Sequence, residues 1–280
     1  MVTLPASAQL VVKSPTFKYP ELPPVAAVEE KEPEPTAPPV PSYEGPHIYL
    51  ATSCETDRLE FAGIRCSADQ PCEFFLELVS VAAERDWVVL AGEIHTADAT
   101  YESVLLSSRD GGHTWTESAE RAIAGGIEVV NIVDGEHAFA AGQQGDTATG
   151  EHPFLITTDD GGESWDFWMV QAGGTPAQGL VVDFQADSPK HGFLILESLA
   201  ATGDPFQLLE TYNAGRSWSI RQISAEKPEV PGPRRTLAIK DWRLRADSAA
   251  GQYVVEFSSS FELSDWAEKV RFDYVIGTCP

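Results

Sequence analysis

Ser108-Arg109-Asp110-Gly111-Gly112-His113-Thr114-Trp115 returns as Thr158-Asp159-Asp160-Gly161-Gly162-Glu163-Ser164-Trp165. It returns again, altered, as Thr211-Tyr212-Asn213-Ala214-Gly215-Arg216-Ser217-Trp218. The shared pattern is Ser/Thr-x-Asp/Asn-x-Gly-x-Ser/Thr-Trp, spaced by about 50 residues, the period expected of a stacked repeat. Each position has a physical reason. Gly112, Gly162 and Gly215 suit the positive φ of a tight reversal. Asp110, Asp160 and Asn213 are Asx residues able to bond the turn backbone. The flanking hydroxyls of Ser108, Thr114, Thr158, Ser164, Thr211 and Ser217 cap the remaining amides. Trp115, Trp165 and Trp218 then start a strand and anchor it against a neighbouring sheet. A tryptophan buries on the order of 200 Å², so Trp165→Ala is expected to cost about 3–5 kcal/mol.

Outward from each copy the text is strand-like, with short apolar runs between turn signals. Leu76–Ala82 and Trp87–Gly92 precede the first copy, Ile127–Val133 and His137–Gly142 the second, Gly179–Gln185 and Gly192–Glu197 the third. A fourth unit, Trp242–Ala246 and Gln252–Ser258, leads to Lys269–Ile276 without the motif. Each unit reads as strand, strand, strand, tight turn, strand, which is one four-stranded blade. Single blades cannot bury both faces and must stack around an axis. The expectation is an all-β propeller of four to five blades over residues 47–280, with His47–Phe74 supplying part of a blade or a closing strand. Residues 1–46 read separately. Their Pro/Glu-rich text, such as Glu32-Pro33-Glu34-Pro35, favours an extended spacer or stalk. Pro5-Ala6-Ser7-Ala8 resembles the cleavage end of a signal segment that is otherwise incomplete.

With 42% hydrophobic residues, the 280-residue chain has material for a large core. Its 43 acidic against 19 basic residues give a formal charge of -24, which opposes nucleic acid and anionic lipid. No run of 18 apolar residues exists, so no transmembrane helix is expected. Cys54, Cys66, Cys72 and Cys279 have no zinc spacing. Three pairings are open to them. Cys66–Cys72, closing a loop over Gln70-Pro71, with Cys54–Cys279 tying the chain ends, is the favoured set. It would place the protein in an oxidising compartment, secreted or periplasmic; four reduced, buried thiols are the competing state.

The repeated turns resemble the Asp-box, or BNR repeat, of bacterial sialidases, sortilin-type receptors, xyloglucan-active propellers and the propeller-type photosystem II assembly factor. Two copies match at every defining position and the third carries Asn213. The resemblance implies a propeller whose box residues are structural, at the blade periphery, away from the axial ligand-binding face. It implies no activity.

Sialidase chemistry needs an arginine triad and a Tyr/Glu nucleophile pair, and the Phe/Tyr-Arg-Ile-Pro signature is missing. No nucleophile elbow, zinc-protease helix or calcium loop is present. No catalytic residue, metal or cofactor is therefore assigned. Glu93 and His95, at one strand end, are the residues open to an acid/base role, with a solvated histidine as the favoured alternative. Eight of the 19 basic residues fall between Arg216 and Arg245. Arg234, Arg235, Lys240 and Arg243 there are the candidates for an acidic partner, with local pairing to the surplus acid as the alternative. The reading is a non-enzymatic binding or assembly-factor propeller of the cell envelope that recognises a protein. A glycan-binding or glycoside-hydrolysing propeller is the alternative, and a stalked spacer the third.

Overall fold

The structure is a computed structural model. It describes residues 48–279 except 112–113, 118, 147–149, 200–202, 232–235, 240–241, 248–251, 258–260 and 265–271, with strands from 236 to 277 described by their backbone. Residues 1–46, and with them the Pro/Glu-rich tract, lie outside the described part.

The fold is nearly all β, and every strand pair within its sheets is antiparallel. Strand β1 (Ile48–Ala51) precedes one short helix, α1 (Thr56–Phe61). Then follow β2 (Cys72–Glu84), β3 (Trp87–His95), β4 (Thr100–Ser108) and β5 (Thr116–Glu117), the first sheet. The second sheet is β6 (Gly125–Ile132), β7 (Ala138–Asp146), β8 (Gly150–Thr158) and β9 (Asp166–Met169). A two-residue pair, β10 (Gln171–Ala172) and β11 (Thr175–Pro176), leads to the third. That sheet holds β12 (Leu180–Ala186), β13 (Gly192–Glu197), β14 (Phe206–Thr211) and β15 (Ser219–Ser224). The remaining strands are β16 (Thr236–Ile239), β17 (Trp242–Asp247), β18 (Gln252–Phe257), β19 (Phe261–Ser264) and β20 (Phe272–Cys279).

Strand alternation buries both faces of each central sheet. In β3, Val88, Leu90 and Ile94 join the cluster that holds Leu50, Leu59 and Trp115. The intervening Trp87, Val89 and Ala91 join Ile127, Ala138, Ala140, Phe154 and Ile156 of the second sheet. In turn Phe139, Ala141 and Leu155 face Phe184, Leu194, Leu196 and Leu209 of the third. The three sheets are thus stacked face to face in chain order, and each apolar layer is shared by two of them.

The same irregularity recurs in all three. The pairing of the first two strands slips at Leu78/Ser80, at Ile127/Val129 and at Val181/Asp183. Each is one extra residue, a β-bulge that adds twist. Opposite the first two bulges stand Gly92 and Gly142, where any Cβ would run into the backbone at Glu77 and Gly126. The first strands are also stitched across layers. Val130 N donates to Ser80 Oγ (3.0 Å), and Ala186 N donates to Asn131 Oδ1 (3.1 Å).

The fourth unit follows expectation in part: its two expected strands pair as β17 and β18 and are joined by β1 from the 47–74 segment, but the strand after them leaves that sheet. It does not form one more sheet of the same kind among the described strands. β17 and β18 pair with β1 in the order β1-β18-β17, and β20 pairs with β2 as a fifth strand of the first sheet. Here non-local pairing with the start of the chain outweighs the local meander. Two disulfides reinforce the junction. Cys54 is bonded to Cys279, 225 residues away, and Cys66 to Cys72. Glu102, 2% exposed on β4, ties the segment before the first sheet to it. Its carboxylate accepts from Arg58 Nη2 (2.5 Å) and Arg121 Nη1 (2.8 Å).

Candidate functional site

The three motif turns have one hydrogen-bond pattern. In the second, Asp160 Oδ1 accepts from Thr158 Oγ1 (2.8 Å) and Ser164 N (3.0 Å), and Oδ2 from Ser164 Oγ (2.5 Å). In the first, Asp110 Oδ1 accepts from Ser108 Oγ (2.8 Å) and Thr114 N (2.7 Å), and Oδ2 from Thr114 Oγ1 (2.5 Å). In the third, Asn213 Oδ1 accepts from Thr211 Oγ1 (3.0 Å) and Ser217 N (3.0 Å). The last bond is reversed there: Asn213 Nδ2 donates to Ser217 Oγ (2.9 Å). Thr158 and Thr211 also accept from Gly162 N and Gly215 N (2.9 and 3.0 Å).

Positive φ spans two residues of the turn, not one. Gly161 and Gly162 stand at 77° and 86°, Ala214 and Gly215 at 58° and 80°, and Gly111 at 73°; Gly112 lies outside the described residues. The extra left-handed residue has a function in the stacking. Its amide reaches the loop between the first two strands: Gly111 N to Asp86 O, Gly161 N to Glu136 O and Ala214 N to Lys190 O (2.8, 2.8 and 3.0 Å). The tryptophans occupy corresponding layers but unequal depths. Trp218 is 3% exposed between the second and third sheets. Trp165, between the first and second, is only half-buried. Trp115, 7% exposed, packs against the layer before the first sheet.

Beside the first and third turns, the residue that opens the second strand meets one near the end of the third. In the first sheet Trp87 Nε1 donates to Ser107 Oγ (3.0 Å), and Arg109 stacks 4.7 Å over the Trp87 ring. In the third sheet the same places hold His191, Glu210 and Tyr212. His191 Nε2 lies 3.0 Å from Glu210 Oε1, and Tyr212 stacks on the imidazole at 4.6 Å. Tyr212 Oη donates to Glu210 Oε1 (2.8 Å), while Asp187 lies 2.7 Å from His191 Nδ1. The Glu210 and Asp187 carboxylates raise the His191 pKa, and His191, Tyr212 and Arg221 hold Glu210 below the usual carboxylate range despite its burial.

At the other end of the first sheet, Glu93 and His95 are brought near two more acids. Glu77 is the cross-strand partner of Glu93, and its carboxylate lies 3.6 Å from His95 Nε2. Glu93 accepts from Thr100 Oγ1 (3.1 Å) and packs on Gly126 of the next sheet. Burial pushes its carboxyl up, reinforced by Glu128 and Glu77. Glu128 accepts from Gln143 Nε2 (3.1 Å). Sequence reading had Glu93 and His95 but not Glu77 or Glu128. The alternation of β2 opposite β3 is the signal that finds Glu77. Glu128 is the second sheet's bulge residue, and its register is not visible in the text.

The basic stretch is only partly described. Arg216 stacks 5.3 Å from the Trp168 ring, Arg221 Nε lies 2.9 Å from Glu210, and Lys227 lies 3.6 Å from Asp183. Arg234, Arg235 and Lys240 lie outside the described residues. Arg243 is opposite Glu256 in the β17–β18 register, with its side chain outside the description. Among the described residues, no group of three potential ligands is arranged for a metal, and no helix is long and apolar enough to cross a membrane.

No protein family matches the chain, and no curated protein proved similar to it. Among solved structures, YCF48 from Cyanidioschyzon merolae is similar in part, with 12% identity and a TM-score of 0.35. The match covers 64% of this chain and 50% of that one. The chain thus matches about half the length of YCF48, and a likeness at this level carries no inference about activity.

Proposed function

We propose that the chain is a non-enzymatic, protein-binding scaffold: an Asp-box propeller of four or five blades, preceded by the Pro/Glu-rich spacer of residues 1–46. The observation that carries the reading is the single turn pattern recurring at one corner of three stacked, antiparallel sheets. A scaffold built by repetition presents broad surfaces, and loops on it bear recognition. Exposed apolar side chains on two outer strands support a protein partner: Phe167 and Met169 on β9, Ile220 and Ile223 on β15. The two disulfides support an oxidising compartment, and with it a secreted or periplasmic location. The partner-facing candidates remain Arg234, Arg235, Lys240 and Arg243. In a pull-down against an envelope extract, Arg234→Glu with Arg235→Glu is expected to lose the wild-type's captured protein. Unchanged capture removes this patch.

One observation favours a second reading, carbohydrate processing. Glu93, with its pKa raised by burial, stands near Glu77 and Glu128, and carboxyls of unlike acidity serve glycoside hydrolysis. Hydrolysis of a fluorogenic sialoside by the wild type, lost in Glu93→Gln, would replace the scaffold reading with this one.

A further inference from the structure

The first and second sheets meet at a corner that the chain fills itself. Arg109 lies over Trp87, reaches Gly135 O (3.4 Å) and presses on Gly161, where a Cβ would collide with the guanidinium. The corner between the second and third sheets has the same backbone and different side chains. Asp159 stands at the repeat position of Arg109, and His137 at that of Trp87. A short carboxylate cannot span what an arginine spans. The result is an open cleft of about 410 Å³, within the size range of small-ligand sites.

The two walls of this cleft differ in sign. From the second sheet come Asp159 and Asp166; from the third come Lys190 and Arg216. No ion pair closes the cleft. Arg216 is held over the Trp168 ring, and the side chains of Asp159, Asp166 and Lys190 have no hydrogen bond or ion pair among the described residues. Carboxylates only accept hydrogen bonds, whereas ammonium and guanidinium only donate. A purely anionic ligand would face the acidic wall, and a purely cationic one the basic wall, each at a Coulombic penalty. A dipolar ligand satisfies both. Tyr212, 66% exposed, offers a ring face at the cleft's edge.

We propose that this cleft binds a small zwitterion of the short-peptide class. Its ammonium end faces Asp159 and Asp166, and its carboxylate end faces Lys190 and Arg216. The site shares no residue with the partner-binding patch proposed above and does not depend on it.

The test is a calorimetric titration of the full chain with four probes. They are alanyl-alanine, its N-acetyl form (anion), its amide (cation) and the doubly blocked neutral form. Alanyl-alanine is expected to bind in the millimolar range. Each blocked form should bind about tenfold more weakly or worse, the loss of one charge-assisted contact. Asp159→Asn and Lys190→Gln change exposed side chains, so both should fold with wild-type circular dichroism and melting. Each should weaken alanyl-alanine about tenfold. The proposal is overturned by no heat with alanyl-alanine up to about 10 mM. Equal binding of a singly or doubly blocked probe, or binding that both substitutions leave unchanged, also overturns it. Loss of zwitterion binding with partner capture intact, or the reverse, tells this site from the scaffold reading.

Discussion

Glu102 and Glu210 are buried carboxylates on corresponding strands, β4 of the first sheet and β14 of the third, yet they hold the fold in different ways. Glu102 lies between two arginines, Arg58 and Arg121. Glu210 lies between one arginine, Arg221, and one histidine, His191. The first pair of partners keeps its charge at every physiological pH. The second loses half of its cationic set when imidazole deprotonates. Their settings differ as well. Arg121 is 12% exposed, whereas Arg221 is 59% exposed. The contrast shows a buried carboxylate on the third strand of a sheet used once, near the strand's start, as a permanent tie between distant segments, and once, near its end, as a hydrated, titratable one.

Breaking the two carboxylates should give the largest separation. Glu102→Ala removes the buried acceptor shared by Arg58 and Arg121; Arg121 keeps its pair with Glu117, so about 3 kcal/mol is expected, the lower end for breaking a buried pair. Glu210→Ala leaves Arg221 free to hydrate, so about 1.5–3 kcal/mol is expected, the range for a hydrogen bond to a charged group. Urea midpoints converted with a shared m-value check the order. Equal losses would mean that the hydration of the cationic partner does not govern the cost.

Depth of burial sets the next contrast. Trp218→Ala removes a side chain 3% exposed, whose Nε1 donates to Gly215 O (2.9 Å), and should cost about 3–5 kcal/mol. Trp165 is half-buried and its Nε1 has no hydrogen-bond partner among the described residues. Its replacement should cost about 2 kcal/mol, below the 3–5 kcal/mol that the sequence pattern alone suggests for it. A larger loss at Trp165 than at Trp218 would reverse the ranking by depth.

The motif was legible because its contacts are local. Asp160 bonds residues two positions before it and four after it, so the spacing carries the structure. The meander of each central unit was legible for the same reason. Contacts that join distant segments left no such trace. Nothing near Glu102 announces Arg58, 44 residues earlier. The pairing of β20 with β2, and of β18 with β1, decided that the last strands do not stand alone as a further sheet. The bulges at Val79, Glu128 and Val182 are hidden because an extra residue shifts the alternation without changing composition. The open cleft depends on one exchange, arginine to aspartate at equivalent turns. It is readable in the alignment of the repeats once Arg109 is known to fill its own corner.

Titration sharpens the comparison of the carboxylates. The folded-state pKa of His191 is raised above its ordinary 6.5. Its contribution is therefore complete below that value and is lost as pH rises through the raised one. Glu210 has a lowered pKa, so its contribution is complete above the ordinary 4.5 and fades as pH falls through the lowered value. The third sheet's cluster is strongest between the two limits. Urea midpoints of the wild type should decline on the alkaline side of that window, and His191→Gln should remove the decline. Persistence of the decline in His191→Gln would assign it to another group.

The smallest effect concerns the charge of the turn itself. Asp160 has its pKa lowered by bonds from Ser164 and Thr158. Its contribution is present above the ordinary 3.8 and is lost as pH falls through the lowered value. Asn213 performs the same part uncharged, because its amide nitrogen donates where Asp160 accepts and a serine hydroxyl serves either role. Asp160→Asn should therefore leave the neutral-pH melting temperature nearly unchanged while shrinking the drop between about pH 7 and pH 2. Asn213→Asp should enlarge that drop by adding a second titrating turn. If Asp160→Asn instead unfolds the protein as readily as Asp160→Ala, the charge rather than the bonding pattern holds the turn, and the third copy is stabilised by its deeper tryptophan instead.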